Sequence, residues 1–152
     1  MALVVESFFG PRSELLPLFK EADDSLQAIN SYIDQGTVLV ARDGQRIIGL
    51  VQLVKGPTVC EIKSIAVAPE HRRQGVGSAL ARIALEHASS LGAGRVVVAT
   101  AATDIDNLRL YLHLGFRMDS VERDVFTPER GYPVMSVNGI PLRDRVWLSL
   151  EF

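Results

Sequence analysis

The chain contains 152 residues, of which 47% are hydrophobic and 22% are charged, and its formal net charge is −2. This length and balance are typical of one globular domain with its own core, so we expect a single domain over residues 1–152. The slightly acidic charge argues against nucleic acid as a partner. A single cysteine, Cys60, excludes an internal disulfide and is interpreted as a small core residue.

The sequence carries no signal of export or of a membrane. Its first ten residues, MALVVESFFG, lack the basic segment and the long apolar segment of a signal peptide. No apolar run approaches the roughly 18 residues that a membrane span requires. We therefore expect a cytoplasmic protein with no membrane partner.

The first half of the chain predicts one strand, two helices and three consecutive strands. Ser25 is the predicted N-cap of the second helix, and Asp43-Gly44 is placed at the centre of a hairpin turn. Pro69 ends the last of these strands. The predicted elements are strand Leu3 to Phe8, helices Pro11 to Lys20 and Ser25 to Gln35, and strands Thr37 to Ala41, Arg46 to Val54 and 58–68.

The second half predicts an alternation of helices and strands. Its strand RVVVAT (95–100) is so apolar that we expect it to be buried. Thr103 or Asp104 caps the helix that Gly115 ends. The predicted elements are helix Gly75 to Leu91, strand 95–100, helix 103–114, strand Phe116 to Phe126, a long loop over 127–144 and a last strand from Arg145.

This order predicts a mixed α/β sheet. Consecutive strands before the central helix favour antiparallel pairing, because short turns join them. The strand–helix–strand unit over residues 58–99 favours a parallel pair with a right-handed connection. Helices then cover the faces of the sheet.

Two arginines and two glycines lead into the central helix: Arg72, Arg73, Gly75 and Gly77. A helix N-terminus offers unpaired N–H groups and a partial positive charge, which phosphates bind readily. The loop is no Walker A loop, since the Gly-Lys-Ser/Thr ending is missing, and Leu80 replaces the third glycine of a dinucleotide loop. Taken alone, the two glycines fit a phosphate site and a tight packing turn equally well.

Three motifs in order resemble the GNAT superfamily of acyl-CoA-dependent N-acetyltransferases. The first is the strand end Ile65-Ala66-Val67-Ala68-Pro69, and the second is the loop 72–77, which reads RRQGVG. The third places Asn107 four residues before Tyr111 on a helix that ends in Gly115-Phe116. The likeness covers roughly residues 3–126 and a last strand near the C-terminus.

The resemblance implies acetyl-CoA as co-substrate and no metal. It implies a splayed sheet of about six to seven strands, opened between 58–68 and 95–100, with helices on both faces. The pantetheine arm would lie along Ile65 to Val67, and the loop would hold the pyrophosphate. The implied cofactor-binding residues are Ile65, Ala66, Val67, Arg72, Arg73, Gln74, Gly75, Val76, Gly77, Ser78, Asn107 and Tyr111.

The implied reaction is direct attack of a primary amine on the thioester through a tetrahedral intermediate. Tyr111 would protonate the leaving thiolate, although a tyrosine bonded in the core is the other reading. A main-chain N–H near Ile65 to Val67 would stabilise the oxyanion. Glu61 is the candidate base. It lies fourteen residues before Gly75, as the catalytic glutamate does in the histone-acetyltransferase branch of the family. A surface pair of Glu61 with Lys63, or a base formed by ordered water, remains open.

The acceptor is expected to be a small-molecule amine. The segment 14–34 carries five acidic residues against Lys20 alone, which favours a cationic acceptor, although a solvated helix face also explains it. A protein lysine or N-terminus, or a non-catalytic acyl-CoA sensor, are the alternatives. The loop 127–144 is expected to be an ordered flap over the acceptor or an interface of a homodimer. A turn is expected at Asn138-Gly139, and four apolar residues of the loop are expected to pack: Tyr132, Val134, Met135 and Ile140. His71 is expected to be solvated.

Overall fold

The computed structural model describes residues 2–152. These residues form four α-helices and nine strands. The helices are α1 (Leu16–Ala22), α2 (Leu26–Tyr32), α3 (Val76–Ser90) and α4 (Ile105–His113). The strands are β1 (Leu3–Ser7), β2 (Thr37–Asp43), β3 (Arg46–Lys55), β4 (Val59–Val67), β5 (Arg95–Ala101), β6 (Arg117–Glu122), β7 (Ser136–Val137), β8 (Ile140–Pro141) and β9 (Arg145–Glu151).

Seven strands form one sheet in the order β1-β2-β3-β4-β5-β9-β6, and β7 and β8 form a separate small hairpin. Within the large sheet, β4 and β5 pair in parallel and the other neighbours pair antiparallel. The prediction of a mixed, mostly antiparallel sheet of six to seven strands is confirmed. The parallel pair is the one that α3 connects.

A separate hydrophobic cluster covers each face of the sheet. On one face, α1 and α2 contribute Phe19 and Ile29, which pack against Val40 and Leu50 of the sheet. On the other, α3 and α4 pack against the alternate residues of the same strands, in a cluster that includes Leu80 and Tyr111. Each fully buried large apolar side chain stabilises the fold by about 1.5–3 kcal/mol. The helices therefore lie on both faces, as predicted.

The caps of two short helices fix the corners that border the site. The Ser25 hydroxyl accepts a hydrogen bond from the Ala28 N–H at 3.1 Å, which confirms it as the N-cap of α2. Asp104, not Thr103, caps α4, because its Oδ1 accepts from the Asn107 N–H at 3.1 Å. None of the helices in residues 2–152 is long and apolar enough to span a bilayer.

The first predicted helix differs from the observed one. Residues Arg12–Leu15 form a 3-10 turn, and the α-helix begins at Leu16. Pro17 has no N–H to donate to the residue four positions earlier, so it is tolerated only in the first turn. The turn of the first hairpin also lies one residue later than predicted, since Asp43 pairs with Arg46 around Gly44 and Gln45.

Two predicted strands also differ from the structure. Strand β6 ends at Glu122 rather than Phe126, and Asp124 has a left-handed φ of 57°, which interrupts an extended chain. Strand β5 is buried on one side only, because Val96 and Val98 point into the core while the other side is half-exposed. That side contributes Ala99 to the cavity described next.

Candidate active site

The sheet opens between β4 and β5. Their pairing runs from Val59 opposite Arg95 to Ile62 opposite Val98, and it stops there although both strands continue. At the same point β4 contains a bulge, since Leu53 of β3 faces Ile62, the next residue Gln52 faces Ser64, and Lys63 is the extra residue. A bulge bends its strand and increases the local twist. The expected opening of the sheet is thereby confirmed.

The bulge also sets which way β4 points its side chains. Before it, Ile62 packs into the core on the α3 side. Lys63, the extra residue, lies on the α1–α2 side, with its Nζ 5.0 Å from the centre of the Tyr32 ring. After it, Ala66 lies on the α1–α2 side and Ile65 on the α3 side. One strand therefore presents side chains to both halves of the opening.

Two cavities meet at this opening. The loop cavity, of ≈ 570 Å³, lies between Ile65–Val67, the loop 71–78 and α4. The flap cavity, of ≈ 470 Å³, lies between Glu61–Ile65, the end of α1 and the flap, by which we mean residues 127–144. The two cavities share six of their lining residues: Glu21, Ala22, Ile65, Arg72, Asp104 and Asn107.

The N-terminus of α3 lines the loop cavity. Its N-cap, Gly75, has a left-handed φ of 82°, and Arg73 two residues earlier also has a positive φ of 61°. Backbone N–H groups in such a turn and at the start of a helix point to one concave surface, which suits an anion. The predicted phosphate loop thus has the backbone geometry that its sequence indicates.

Gly77 lies on the wall of the loop cavity. A Cβ at this position would lie 3.7 Å from Val67 Cγ2 and 3.9 Å from Leu110 Cδ2, which are ordinary contacts, and both of these residues line the cavity. A larger side chain would therefore fit the fold while occupying space in the cavity. The residues present fit the diphosphate of acetyl-CoA at this place.

The side chains of the loop differ in their placement. Arg72 reaches across the opening, with Nη2 2.8 Å from Glu21 Oε2 and Nε 3.3 Å from the Val67 carbonyl oxygen. Arg73 lines the loop cavity, whereas Gln74 is exposed and is not among its lining residues.

The expectation that His71 is solvated is wrong. Its side chain is 15% exposed and lines the loop cavity, with Nε2 3.9 Å from Asp43 Oδ2. The short 3-10 turn Pro69–His71 directs the ring back against the hairpin turn, and no sequence pattern indicated that turn.

Helix α4 contributes Asn107 and Tyr111 to the opening. Asn107 lines both cavities and donates from Nδ2 to Asp104 Oδ2 at 2.9 Å, which fixes its amide. Tyr111 is 1% exposed, packs edge-to-face on Phe116 and lines the flap cavity. Burial raises the pKa of Tyr111 well above its ordinary value, and the charge of Asp104 raises it further. Tyr111 therefore lines the cavity as a neutral phenol that can donate a hydrogen bond.

Glu61 and Lys63 lie together in the flap cavity. Lys63 Nζ is 3.8 Å from Glu61 Oε2, and their side chains are 30% and 28% exposed. The pair predicted as one alternative exists, but it lines the cavity instead of lying on an outer surface. Both residues remain accessible to a bound molecule.

The corner between α1 and α2 contributes Asp23, one of the acidic residues of the segment 14–34, and Tyr32, which the sequence did not single out for the site. Asp23 accepts hydrogen bonds from the Ser25 N–H on Oδ1 at 3.1 Å and from the Tyr32 hydroxyl on Oδ2 at 2.8 Å. Burial raises the pKa of Tyr32, and the neighbouring Asp23 carboxylate raises it further, so the phenol stays a donor. Tyr32 falls on the apolar face of its helix, where it is indistinguishable from a core residue in the sequence.

Several hydrogen bonds attach the flap to the rest of the protein, and two of them join it to helix termini that border the cavity. The Ser25 hydroxyl, which caps α2, also donates to the Arg130 carbonyl oxygen at 2.7 Å. The Asn138 amide donates to the Thr103 carbonyl oxygen at 2.8 Å. At Gly131, which has a φ of 86°, a Cβ would lie 2.7 Å from Ser25 Oγ, so only glycine allows this close approach.

The inner side of the flap faces the cavity. Tyr132 and Met135 line it, whereas Val134 is 94% exposed and Ile140 is 48% exposed. The expectation that all four apolar residues pack is therefore only half right. The predicted turn at Asn138-Gly139 is present, and it joins β7 and β8.

Comparison with known proteins agrees with this architecture. The model of the "Acetyltransferase (GNAT) family" matches residues 6–116. An uncharacterized N-acetyltransferase of Bacillus subtilis (strain 168), YvbK, is 33% identical over 139 residues, which cover 91% of this chain and 89% of the relative.

Two solved structures share the fold over nearly their whole length. An IAA acetyltransferase from Bacillus cereus ATCC 14579 has a TM-score of 0.91 at 32% identity and covers 99% of this chain and 100% of its own. A GNAT family acetyltransferase from Elizabethkingia anophelis with acetyl-CoA bound has a TM-score of 0.90 at 26% identity, and the match covers 99% of this chain and 98% of that protein. With its split sheet, its glycine-containing loop before α3 and these relatives, the chain belongs to the GNAT family of N-acetyltransferases.

Proposed function

We propose that this protein, as one domain over residues 1–152, transfers an acetyl group from acetyl-CoA to a primary amine on a small molecule in the cytoplasm. The observation that carries the proposal is that the loop cavity and the flap cavity meet where β4 leaves β5. A thioester and an amine entering from opposite sides would come together at that point. Acetyl-CoA supplies the activated acyl group and the thiolate leaving group.

The loop cavity would hold the cofactor mainly through the backbone. The first N–H groups of α3 and the turn around Gly75 suit the diphosphate. Residues Ile65 to Val67 have no strand on the β5 side, so their N–H and C=O groups can pair with an extended chain as a further strand would. Arg73 adds a positive charge at the cavity wall, and Asn107 presents its amide oxygen.

Tyr111 would donate a proton, or a strong hydrogen bond, to the departing sulfur. It is buried, neutral and part of the cavity wall, which are the properties that this role requires. Ordinary pKa values of about 10 for a phenol and about 8.5 for a thiol favour the thiol as the acid. Burial that raises the tyrosine pKa raises that of a thiol in the same place as well, so transfer in concert with bond breaking is the feasible route.

Glu61 would accept the proton that the amine loses, directly or through a water molecule. Its carboxylate is accessible in the flap cavity, and the nearby Lys63 ammonium keeps it from being an isolated buried charge. A main-chain N–H of β4 near Ile65 would stabilise the oxyanion, because the bulge frees this part of the strand from β5.

The flap supports a small acceptor. It borders a cavity of ≈ 470 Å³ and is fastened at Arg130 and Asn138. This volume suits a small molecule rather than a long peptide groove. The aromatic walls at Tyr132 and Trp147 would contact the body of the acceptor.

A turnover screen tests the proposal. Release of free CoA thiol from acetyl-CoA is followed across a library of primary amines, amino acids and lysine peptides, and products are identified by mass spectrometry. We expect turnover with small amines, with acetylation on nitrogen. Binding of acetyl-CoA without turnover on any amine would indicate an acyl-CoA sensor, and turnover with peptides alone would indicate a protein acetyltransferase.

A further inference from the structure

The carboxylate of Asp23 is held rigidly on the wall of the flap cavity. One oxygen accepts the Ser25 N–H and the other accepts the Tyr32 hydroxyl. Burial raises the pKa of Tyr132 as well, and the nearby charge of Asp23 raises it further. Two tyrosines of the cavity are therefore tuned by the same carboxylate, which remains half-buried and within reach of a ligand.

The charge of Asp23 is not matched by a salt bridge. Of the four cations that line the flap cavity, Arg72 pairs with Glu21, Lys63 with Glu61 and Arg145 with Glu122, and the fourth, Lys20, forms no salt bridge among residues 2–152. Among residues 2–152, no cationic side chain forms a salt bridge with Asp23. Desolvation raises the pKa of the adjacent Asp24, and the charges of Asp23 and Glu21 raise it further, which indicates an excess of negative potential here.

A carboxylate in this state suits binding better than proton abstraction. Both of its oxygens already accept a hydrogen bond, one from a backbone N–H and the other from a phenol, which hold the carboxylate on the cavity wall. Placed against the reacting nitrogen, it would favour the ammonium form, which cannot attack a thioester. Its charge can instead bind a second cationic group of the acceptor, which stays protonated while the acceptor's other amine reacts.

A buried glutamine sets the position of this carboxylate. Gln52 of β3 is fully buried, and its Nε2 donates to the main-chain oxygens of Tyr32 at 2.8 Å and of Gln35 at 2.9 Å. It thereby fixes the C-terminal end of α2, whose last carbonyl groups have no partner within the helix. Fixing that end places the Tyr32 hydroxyl on Asp23.

We infer that Asp23 is a specificity-determining residue that selects acceptors with a second cationic group, and that Gln52, acting through Tyr32, is its positioning residue. The inference rests on the proposed function for the reaction itself. It names the acceptor class as diamines and related polycationic amines, and it disfavours acceptors that carry a carboxylate at the same distance.

Three acceptors of equal length test the inference: 1,4-diaminobutane, 4-amino-1-butanol and 4-aminobutanoate. The measured quantity is the ratio of kcat/KM for the diamine to that for the amino alcohol. We expect Asp23→Asn to lower this ratio about tenfold to a hundredfold through the KM of the diamine, as loss of a charged hydrogen-bond partner predicts. Tyr32→Phe, which keeps the ring, should lower it by a smaller factor.

Asp34→Asn is the matched control, because Asp34 is an exposed carboxylate after α2 that does not line the cavity. It should leave the ratio at its wild-type value. Gln52→Met should lower the ratio in the same direction as Tyr32→Phe. If Gln52→Met does not fold, the Tyr32 and Asp23 variants still decide the question.

Titration of 1,4-diaminobutane into the protein by calorimetry separates this inference from the proposed function. Diamine binding that weakens tenfold or more in Asp23→Asn supports the inference even if no amine is acetylated. If amines are acetylated but the ratio of kcat/KM for the diamine to that for the amino alcohol is the same in wild type and Asp23→Asn, the inference is overturned while the proposed function stands. Preference of the wild type for 4-aminobutanoate over the diamine overturns it as well.

Discussion

The loop cavity and the flap cavity are built by different means. The loop cavity draws most of its lining from two short segments, Ile65–Val67 and the loop 71–78, with one face of α4 and the end of α1 completing it. The flap cavity uses side chains from α1, α2, β4, β5, the flap and β9, which are far apart in the chain. One half of the site is therefore local in sequence and the other half is assembled by the fold.

This difference separates two kinds of recognition. A phosphate group held by backbone N–H groups requires glycines at fixed spacing, and it tolerates changes elsewhere. An acceptor held by side chains depends on the position of many elements at once. Substitutions in the loop cavity should change cofactor affinity, and substitutions in the flap cavity should change acceptor kinetics.

The largest effect is expected at Tyr111, which lines the flap cavity one helical turn after Asn107, a residue that lines both cavities. Tyr111→Phe removes the proton donor while keeping the packing on Phe116. Turnover should fall about 10²–10⁴-fold, the usual cost of losing a general acid. Acetyl-CoA affinity, measured by calorimetry, should change little. Wild-type turnover in this variant would make Tyr111 a packing residue only.

Glu61→Gln should lower turnover about 10²-fold and remove the acidic limb of the pH–rate profile. The amide keeps the size of the side chain but cannot take a proton from the amine. The rates are compared on the best acceptor from the screen across the whole pH range in which both proteins stay folded. An unchanged limb at similar turnover would assign the base to water or to another residue.

Gly77→Val tests whether acetyl-CoA binds in the loop cavity. The fold has room for the new Cβ, but the branched side chain extends into the loop cavity. We expect the Kd for acetyl-CoA to rise about tenfold or more, since overfilling a packed site costs about 1–3 kcal/mol.

Gly94→Val provides the control for this change. Gly94 is exposed, and its Cβ would meet only the Thr58 carbonyl oxygen at 4.0 Å. Unchanged acetyl-CoA affinity in a folded Gly77→Val protein would show that this loop does not bind the diphosphate.

The smallest effect is expected from shortening the flap. Replacing residues 129–139 with a short Gly-Ser turn removes the anchors at Arg130 and Asn138 along with the Tyr132 wall. The KM for the amine should rise several-fold, while the Kd for acetyl-CoA stays the same. Unchanged amine kinetics, with a change from dimer to monomer in size-exclusion chromatography, would assign the flap to a subunit interface instead.

The sequence predicted the elements that carry local signals. The N-cap at Ser25, the Asn138-Gly139 turn and the loop before α3 each depend on a few adjacent residues, and each is present. Glu61 and Tyr111 were identified by spacing within a family motif, and both line the flap cavity.

The sequence could not predict contacts that join distant segments. Tyr32 reads as a core residue because its position on the helix is apolar, and its hydrogen bond to Asp23 depends on how α2 meets α1. Gln52 is a polar residue in an apolar strand, which marks it as unusual but does not reveal that it binds the end of α2. His71 was misjudged because its exposure depends on a hairpin turn 28 positions earlier at Asp43.

The bulge at Lys63 has an evolutionary consequence. Lys63 is an extra residue, so every other residue of β4 would keep its face of the sheet if the codon for Lys63 were deleted. A substitution at this position changes a side chain, whereas a deletion would straighten the strand and let it follow β5 beyond Ile62. The opening between β4 and β5 is therefore expected to depend on the number of residues in β4 rather than on which side chain stands at position 63.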